Sequence, residues 1–387
     1  MWAQVREITW MNLRNIPSRL GSSSVIVVGI AGVVGVLVAI LAMATGFRVA
    51  LESTGEADRA IVLRGGSGGE LSSGIGQSEL AIVARLEGVR EASGELYTVA
   101  DVPKRGSGTP ANLVVRGVEP AAFSIRPEVN VVEGRPFGTG KRELIVGRGA
   151  SVEFAGLEIG NRVAFRDSDW EVVGIFTADG NAHESEVWAD LAVAQDAFRR
   201  QGGVSSARVR LVSADVLESL AERIERDPRL DVQMIGEPEY YASQSRGLAA
   251  IITGFGYVVA VIMAVGAIFA ALNTMYSAVS SRTVEIATLR AIGFGRWPVV
   301  VSVMIEALTL AALGGVLGGA IAYLGFNGHT ISTLNNVAFS QLAFDFAVTP
   351  ELMAQGFVWA AVLGAVGGLF PAVRAARLPI TVALRGE

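Results

Sequence analysis

The sequence predicts an α-helical membrane protein with four transmembrane helices plus an α+β extracytoplasmic domain. Three observations carry that prediction. Mean hydropathy is +0.45, with 51% hydrophobic and only 18% charged residues. Four stretches each reach the roughly 20 apolar residues that a bilayer crossing needs. Between the first and second of them lie about 200 residues of ordinary mixed composition, enough for one or two small domains.

Leu20 to Phe47 is the first stretch and carries no charge. Its apolar core is too long for a secretory signal and no small-x-small cleavage site follows it, so it reads as a retained span. Gly247 to Ser281 is the second and is also uncharged. As a helix its 35 residues would run about 52 Å against a hydrocarbon core of about 30 Å, so it is expected to continue outward as a stalk from about Tyr240, with Phe47 to Glu56 as partner. Trp297 to Phe326, interrupted only by Glu306, is the third, and Leu352 to Val373 the fourth. Small residues four apart, which let backbones approach, occur at Ala31/Gly35, Gly314/Gly318, Gly315/Gly319 and Gly364/Gly368. Packing within the chain is the expected use of each pair, and Asn273 is expected to make an interhelical hydrogen bond.

Arginines set the orientation. Arg6, Arg14 and Arg19 precede the first span, Arg282, Arg290 and Arg296 lie between the second and third, and Arg374, Arg377 and Arg385 end the chain, while Asn327 to Pro350 has neither Lys nor Arg. Both termini are therefore expected in the cytoplasm. The expected division is 1–23 cytoplasmic amphipathic segment, 24–46 first span, 47–247 extracytoplasmic domain with stalk, 248–281 second span and 282–297 cytoplasmic helix. It continues with 298–325 third span, 326–350 outer loop, 351–374 fourth span and 375–387 cytoplasmic tail.

In the outer domain a strand "RAIVLRG", a Gly/Ser loop to Gly76, a helix "SELAIVARL" and then "GVREASGELYTVADVP", a strand pair or one long strand, follow one another. Strand "ARVRLV", helix "ADVLESLAERIER" and strand "DVQMIG" repeat the order near Arg246. Two β-α-β units of this size suggest a ferredoxin-like, porter-type subdomain. Short alternating strands from about Pro110 to Gln201 read as an inserted β-rich subdomain.

Other chemistries find little support. A net charge of −5 with no basic stripe gives no reason to expect nucleic acid, and zero cysteines exclude disulfides and thiolate sites. His183 and His329 stand far apart, and no cofactor, metal or catalytic residue is expected. "GTGKRE" at Gly138 to Glu143 lacks the first glycine and the Ser/Thr of a phosphate-binding loop, and reads as a turn before the strand "ELIVG". "GGSGGELSSGIG" at Gly65 to Gly76 reads as a flexible loop.

One segment stands apart. "SRTVEIATLRAIGFGRWP", Ser281 to Pro298, is charged and helix-forming between two nearly charge-free runs. At about 100° per residue, Arg282, Glu285, Ile286, Leu289, Arg290 and Gly293 share an arc of about 140°, opposite Val284, Ala287, Thr288 and Ala291. The charged face turned to the cytosol would be a docking element. A solvated helix that merely reverses the chain fits the periodicity equally. Glu306 lies about 12 Å into the third span, where acids are costly and often functional. It either has such a role or pairs with a nearby arginine such as Arg290.

The stretch "SRTVEIATLRAIGFGRWPVVVSVMIEAL" resembles the coupling-helix region of FtsX-like ABC transporter permeases, the group that includes MacB and LolC. The matching positions are Arg282, Glu285, Ile286, Ala287, Leu289, Arg290, Ala291, Ile292 and Gly293, then Ile305, Glu306 and Ala307. Near the C-terminus Pro371, Ala372, Ala375, Ala376, Ala383 and Leu384 fit the family's ending, with Pro379 one residue early. "ELIVGRGASVEFAGLEIGNRVAF" and "EVWADLAVAQDAF" resemble its outer domain. The resemblance implies a non-catalytic permease subunit of the bacterial inner membrane, working with two copies of a separate ABC ATPase and a second permease chain, identical or different. Arg282, Glu285, Ile286, Leu289, Arg290 and Gly293 would dock the ATPase, and Glu306 would transmit. ATP-driven motion would reach the outer domain, which handles substrate on the outer side. A periplasmic adaptor protein and membrane lipids are further partners to look for. An FtsX-like regulator of a cell-wall hydrolase, and a receptor without an ATPase, are the alternatives.

Overall fold

The computed structural model describes residues 2–14, 20–335, 340–377 and 379. Arg19, Ala383, Leu384 and Arg385, on which the sequence reading drew, lie outside them. In chain order the helices and strands begin with α1 (Trp2–Arg14), α2 (Leu20–Glu52), β1 (Arg59–Arg64), β2 (Ile75–Gly76), α3 (Gln77–Val83), β3 (Val89–Pro103), β4 (Pro110–Val118) and α4 (Ala121–Ile125). Next come β5 (Asn130–Gly134), β6 (Glu143–Gly147), α5 (Arg148–Glu153), β7 (Arg162–Phe165), β8 (Ser168–Thr177), β9 (Glu186–Asp190), α6 (Leu191–Ala197), β10 (Gly203–Val204) and β11 (Ser206–Leu211). Last are α7 (Leu217–Arg226), β12 (Val232–Gly236), α8 (Glu237–Ser280), α9 (Thr283–Ala291), α10 (Arg296–Phe326), β13 (Thr330–Asn335), β14 (Ser340–Asp345) and α11 (Pro350–Arg377).

The chain divides into two units. One comprises residues 1–45, 251–329 and 346–387, the other 46–250 and 330–345. Helices α2, α8, α10 and α11 are long and apolar enough to cross a membrane.

In the first unit, small residues set the helix spacing. A Cβ on Gly318 of α10 would lie 2.5 Å from the Ala31 carbonyl oxygen of α2. One on Gly315 would lie 2.8 Å from Ala360 Cβ of α11, and one on Gly364 of α11 would overlap Ala311 of α10. Each glycine pair thus serves packing within the chain. On α8, Ala260, Ala264, Ala267, Ala271, Met275 and Val279 are buried. Its other side exposes Ile251, Phe255, Val258, Ile262, Val265 and Phe269. Those six alternate at spacings of four and three, the period of a helix-packing seam. Asn273, expected to bond a neighbouring helix, is also exposed.

In the second unit, one sheet runs β12-β1-β11-β3-β4-β9-β6-β8-β5, with β7 on β8. Its first four strands are all antiparallel and interleave the two β-α-β units. The "GVREASG…" stretch is a single strand. Residues Val89 to Glu95 of β3 pair with β11, and Glu95 to Pro103 pair with β4. Because β3 is longer than its first neighbour, the strands expected as an inserted β-rich subdomain continue the same sheet, with an apolar cluster of their own around Phe176 and Trp188. The two remaining pairs are β2 with β10 and β13 with β14. The latter hairpin occupies the region expected to be a plain outer loop. At the start of α8, a Cβ on Gly55 would lie 2.6 Å from the Glu237 carbonyl carbon.

The strand alternation makes the sheet two-sided. Leu113, Val115, Val187, Ala207, Val209 and Leu211 point to one face, where Leu80, Val83, Leu220 and Ile224 of the helices complete an apolar core. Glu95, Tyr97, Arg116, Glu186, Ser206 and Arg208 point to the other. They are buried too.

Candidate functional site

Two places concentrate charge that the fold has taken out of water, one in each unit.

The first is α9. Its N-terminal flank, Arg282, is 8% exposed. Arg282 Nε donates to Glu285 Oε2 at 3.1 Å, and its Nη1 to Glu306 Oε2 of α10 at 3.4 Å. Glu306 therefore meets Arg282. Ile286 and Ala287 are buried, Glu285, Leu289 and Arg290 half-buried, and Val284, Thr288, Ala291 and Ile292 exposed. Of the charged arc, Arg282 and Ile286 thus turn inward, Glu285, Leu289 and Arg290 lie at the boundary, and Gly293 is exposed. Met275, Val279, Arg282, Leu289, Ser302 and Glu306 line a small cavity beside α9. Gly293 ends the helix: its φ is +101°, and its N–H bonds the Arg290 carbonyl at 3.2 Å. A glycine takes that left-handed backbone without a Cβ clash. Exposed Trp297 follows.

The second place is the polar face of the sheet. Arg116 of β4 is at its centre. Its Nε and Nη2 donate to the two oxygens of Glu186 at 2.7 Å each, a fork-on-fork pair. Its Nη1 donates to Glu70 at 2.8 Å and to Glu95 at 2.7 Å. Arg208 of β11 bonds Glu70 at 3.1 Å and Glu237, the first residue of α8, at 2.9 Å. Arg59 of β1 reaches Glu237 at 3.3 Å, and Arg126 pairs with Glu95 and lies over the Trp188 ring. Tyr240 and Tyr241 flank Arg208, whose charge lies 5.8 and 5.5 Å from their ring centres. Four buried arginines thus face four buried glutamates.

The electrostatics follow from that pairing. Burial alone would raise the Glu70 carboxyl, but Arg116 and Arg208 outweigh it and hold the pKa at about 2. Glu186 is likewise held well below the usual range, against burial, chiefly by Arg116. Burial pushes His183 down to about 3 despite Glu186 beside it, so the imidazole is neutral. Burial and then the like charge of Arg208 lower Arg126 to about 10. Every carboxylate here is committed to an arginine. Among the described residues no group of three His, Asp or Glu could hold a metal ion.

The sequence reading missed this cluster. Arg116, Glu186 and Arg208 alternate with apolar neighbours, which reads as the wet face of a half-buried strand. What covers them comes from far along the chain, at Glu237 to Gln244 and at Asn335, Ser340, Gln341 and Leu342. Glu70 was hidden in the Gly/Ser stretch read as a flexible loop; that stretch delivers it, 4% exposed, to Arg116. "GTGKRE" does form the turn before β6, closed by the Gly138 N–H on Glu143 at 2.8 Å.

Two family descriptions cover the chain: the MacB-like periplasmic core domain matches residues 23–227, and the FtsX-like permease C-terminal domain matches 257–380. The chain belongs to the MacB/FtsX-type ABC transporter permeases. The macrolide export ATP-binding/permease protein MacB of Bdellovibrio bacteriovorus is 24% identical over 400 residues, covering 94% of this chain and 58% of that protein. MacB of Hyphomonas neptunium is 25% identical over 423 residues, covering 100% and 61%. An uncharacterized ABC transporter permease of Methanocaldococcus jannaschii is 24% identical over 240 residues, covering 60% and 58%. The permease thus spans about three fifths of the length of these relatives. Among solved structures, the extracellular domain of the noncanonic ABC-type transporter YknZ from Gram-positive bacteria overlaps 46% of this chain and all of its own, at 16% identity and TM-score 0.36. The overlap is loose, and the fold rests on the strand pairings above.

Proposed function

We propose that this permease is the membrane subunit of an ABC-type exporter of the bacterial inner membrane, with both termini in the cytoplasm. It relays motion of a separate ATPase, in two copies, to an outer domain that handles substrate on the far side. The observation that carries this is the build of α9. A nine-residue helix is tied to α10 by the buried Arg282–Glu306 pair while Val284, Thr288, Ala291 and Ile292 stay uncovered. A helix that only reversed the chain would have no use for such a tie. Docking then falls to the uncovered face and the half-buried Glu285, Leu289 and Arg290, with Arg282 and Ile286 as its anchors and Gly293 as its stop. Glu306 is the transmission residue.

A second copy of the chain is the partner that best suits α8. Its outward seam is apolar and regularly spaced, and Asn273 would leave an amide without partners in lipid. Two α8 seams packed together would bury the apolar row and let the two asparagines bond each other.

The test is ATP hydrolysis by the reconstituted complex. Ile292→Asp and Val284→Glu should insert normally and lower stimulated hydrolysis at least about tenfold, through loss of a desolvated contact of roughly 1.4 kcal/mol or more. Full stimulation in both variants would end the docking assignment.

A further inference from the structure

Within the first unit, α8 is held to α11 by polar and aromatic contacts at two places. Near the start of α11, Gln355 Nε2 donates to the Tyr257 hydroxyl of α8. The Tyr257 ring stacks on Trp359, one turn along α11, with centres 6.3 Å apart and planes at 30°. Near the end of α11, the Arg374 guanidinium lies over the Tyr276 ring, 5.3 Å from its centre. Between the two places, a Cβ on Gly367 of α11 would lie 2.8 Å from that of Ala271.

The sequence separations agree with one another. Gln355 stands 98 residues after Tyr257, and Arg374 stands 98 residues after Tyr276. Gly367 stands 96 residues after Ala271. A nearly constant separation means that the two helices run in the same direction and hold one register from end to end. Along each helix the two places are 19 residues apart, about 28 Å at 1.5 Å per residue. That is close to the roughly 30 Å of bilayer hydrocarbon. Tyrosine, tryptophan and arginine are the residues that settle at its two boundaries. The rest of α8 offers mostly apolar contact, which is non-directional and tolerates a slide along the helix axis. A hydrogen bond and a cation over a ring do not tolerate it.

We propose that Tyr257 and Tyr276 are end clasps that fix the register of α8 against α11, so that the two helices tilt as one body and α8 does not slide. A slide of one turn, about 5.4 Å, breaks both clasps at once, whereas a shared tilt breaks neither. Gln355, Trp359 and Arg374 are the positioning residues on α11. The proposal rests on the force-relay reading above and names the kind of motion that α8 carries.

Disulfide trapping on the full chain in lipid vesicles, with no ATPase present, tests it. The chain has no cysteine. Ala271→Cys with Gly367→Cys reports the native register. Ala271→Cys with Leu363→Cys reports a slide of one turn, since Leu363 is buried on the same face of α11, four residues before Gly367. Disulfides form only within a narrow spacing, so the ratio of the two oxidation rates reads the register. With both clasps intact the native pair should form at least about tenfold faster. Tyr257→Leu with Tyr276→Leu should lower that ratio about tenfold, the combined weight of a cation–π contact and an interhelical hydrogen bond. Tyr276→Phe alone, which keeps the ring under Arg374, should leave the ratio unchanged, while Tyr276→Leu alone should lower it about threefold. Gln355→Leu with Arg374→Gln removes the same contacts from the α11 side and serves if the tyrosine variant inserts poorly. Three results would each overturn the clasps: no native-pair disulfide with the clasps intact, an unchanged ratio once they are removed, or a loss with Tyr276→Phe as large as with Tyr276→Leu. Because the ATPase takes no part, a failure of the docking assignment leaves this result untouched.

Discussion

The two buried charge sites differ in density. Among the described residues, Arg282 at α9 is shared between two carboxylates, Glu285 and Glu306. On the sheet, four arginines and four glutamates interlock, so that Arg116 alone touches three acids. An interlocked lattice cannot lose one member without stranding several charges. The comparison suggests a division of labour: the sparse site suits a joint, and the dense site suits a rigid block that moves whole.

The sharpest way to break the comparison is Arg116→Met. It leaves Glu70, Glu95 and Glu186 short of a partner in a dry interior and should destabilise the second unit by about 3–5 kcal/mol or more. Chemical denaturation followed by fluorescence, with most of the six tryptophans separated by single replacement, checks this. A loss below about 1 kcal/mol would mean the lattice is better hydrated than its burial indicates.

Acid is the next test. The Glu70 pKa is about 2 folded against 4.5 for the free side chain, so the unfolded state binds the extra proton and stability falls as pH drops from about 4.5 to 2. That one group contributes about 3 kcal/mol, at 1.36 kcal/mol per pKa unit. His183, held at about 3 against 6.5, adds loss of the same sign between those values, because only the unfolded imidazole is protonated there. Stability that stays level from pH 6.5 to 3 would contradict the neutral histidine.

Arg282→Met should have a smaller effect on folding and a large one on coupling. Stimulated ATP hydrolysis should drop while the second unit melts as wild type. Smallest of all is the exposed Arg226–Glu222 pair at 2.8 Å on α7. Glu222→Ala should cost no more than about 0.5 kcal/mol, the ordinary value for a surface pair four residues apart.

Much of this was legible in the sequence where one periodicity governs one element. The four apolar helices, the repeated strand-helix-strand order and the charged insert at Ser281 all follow from local pattern. The site was half legible. Arg282 and Glu306 stood out by type and place, yet their partnership depends on how α9 rolls against α8 and α10, and helical period does not fix roll. The burial of Arg282 and Ile286 was not legible, because charge was taken as a mark of solvent, whereas both side chains line a small cavity with Ser302 and Val303. The sheet cluster was not legible. An alternating strand shows which residues share a face, but not that the start of α8 and a hairpin more than 200 residues after β4 will cover it. The β13–β14 hairpin itself was passed over because its strands are short and only partly apolar, and neither would be stable alone.

The most direct test of the relay uses a single engineered cysteine. Val284→Cys in the otherwise cysteine-free chain should react with a maleimide freely when the permease is alone. It should react at least about tenfold more slowly once the ATPase is bound, as expected for a site buried at an interface core. Equal reaction rates with and without a demonstrably bound ATPase would contradict the claim that this face of α9 receives the motor.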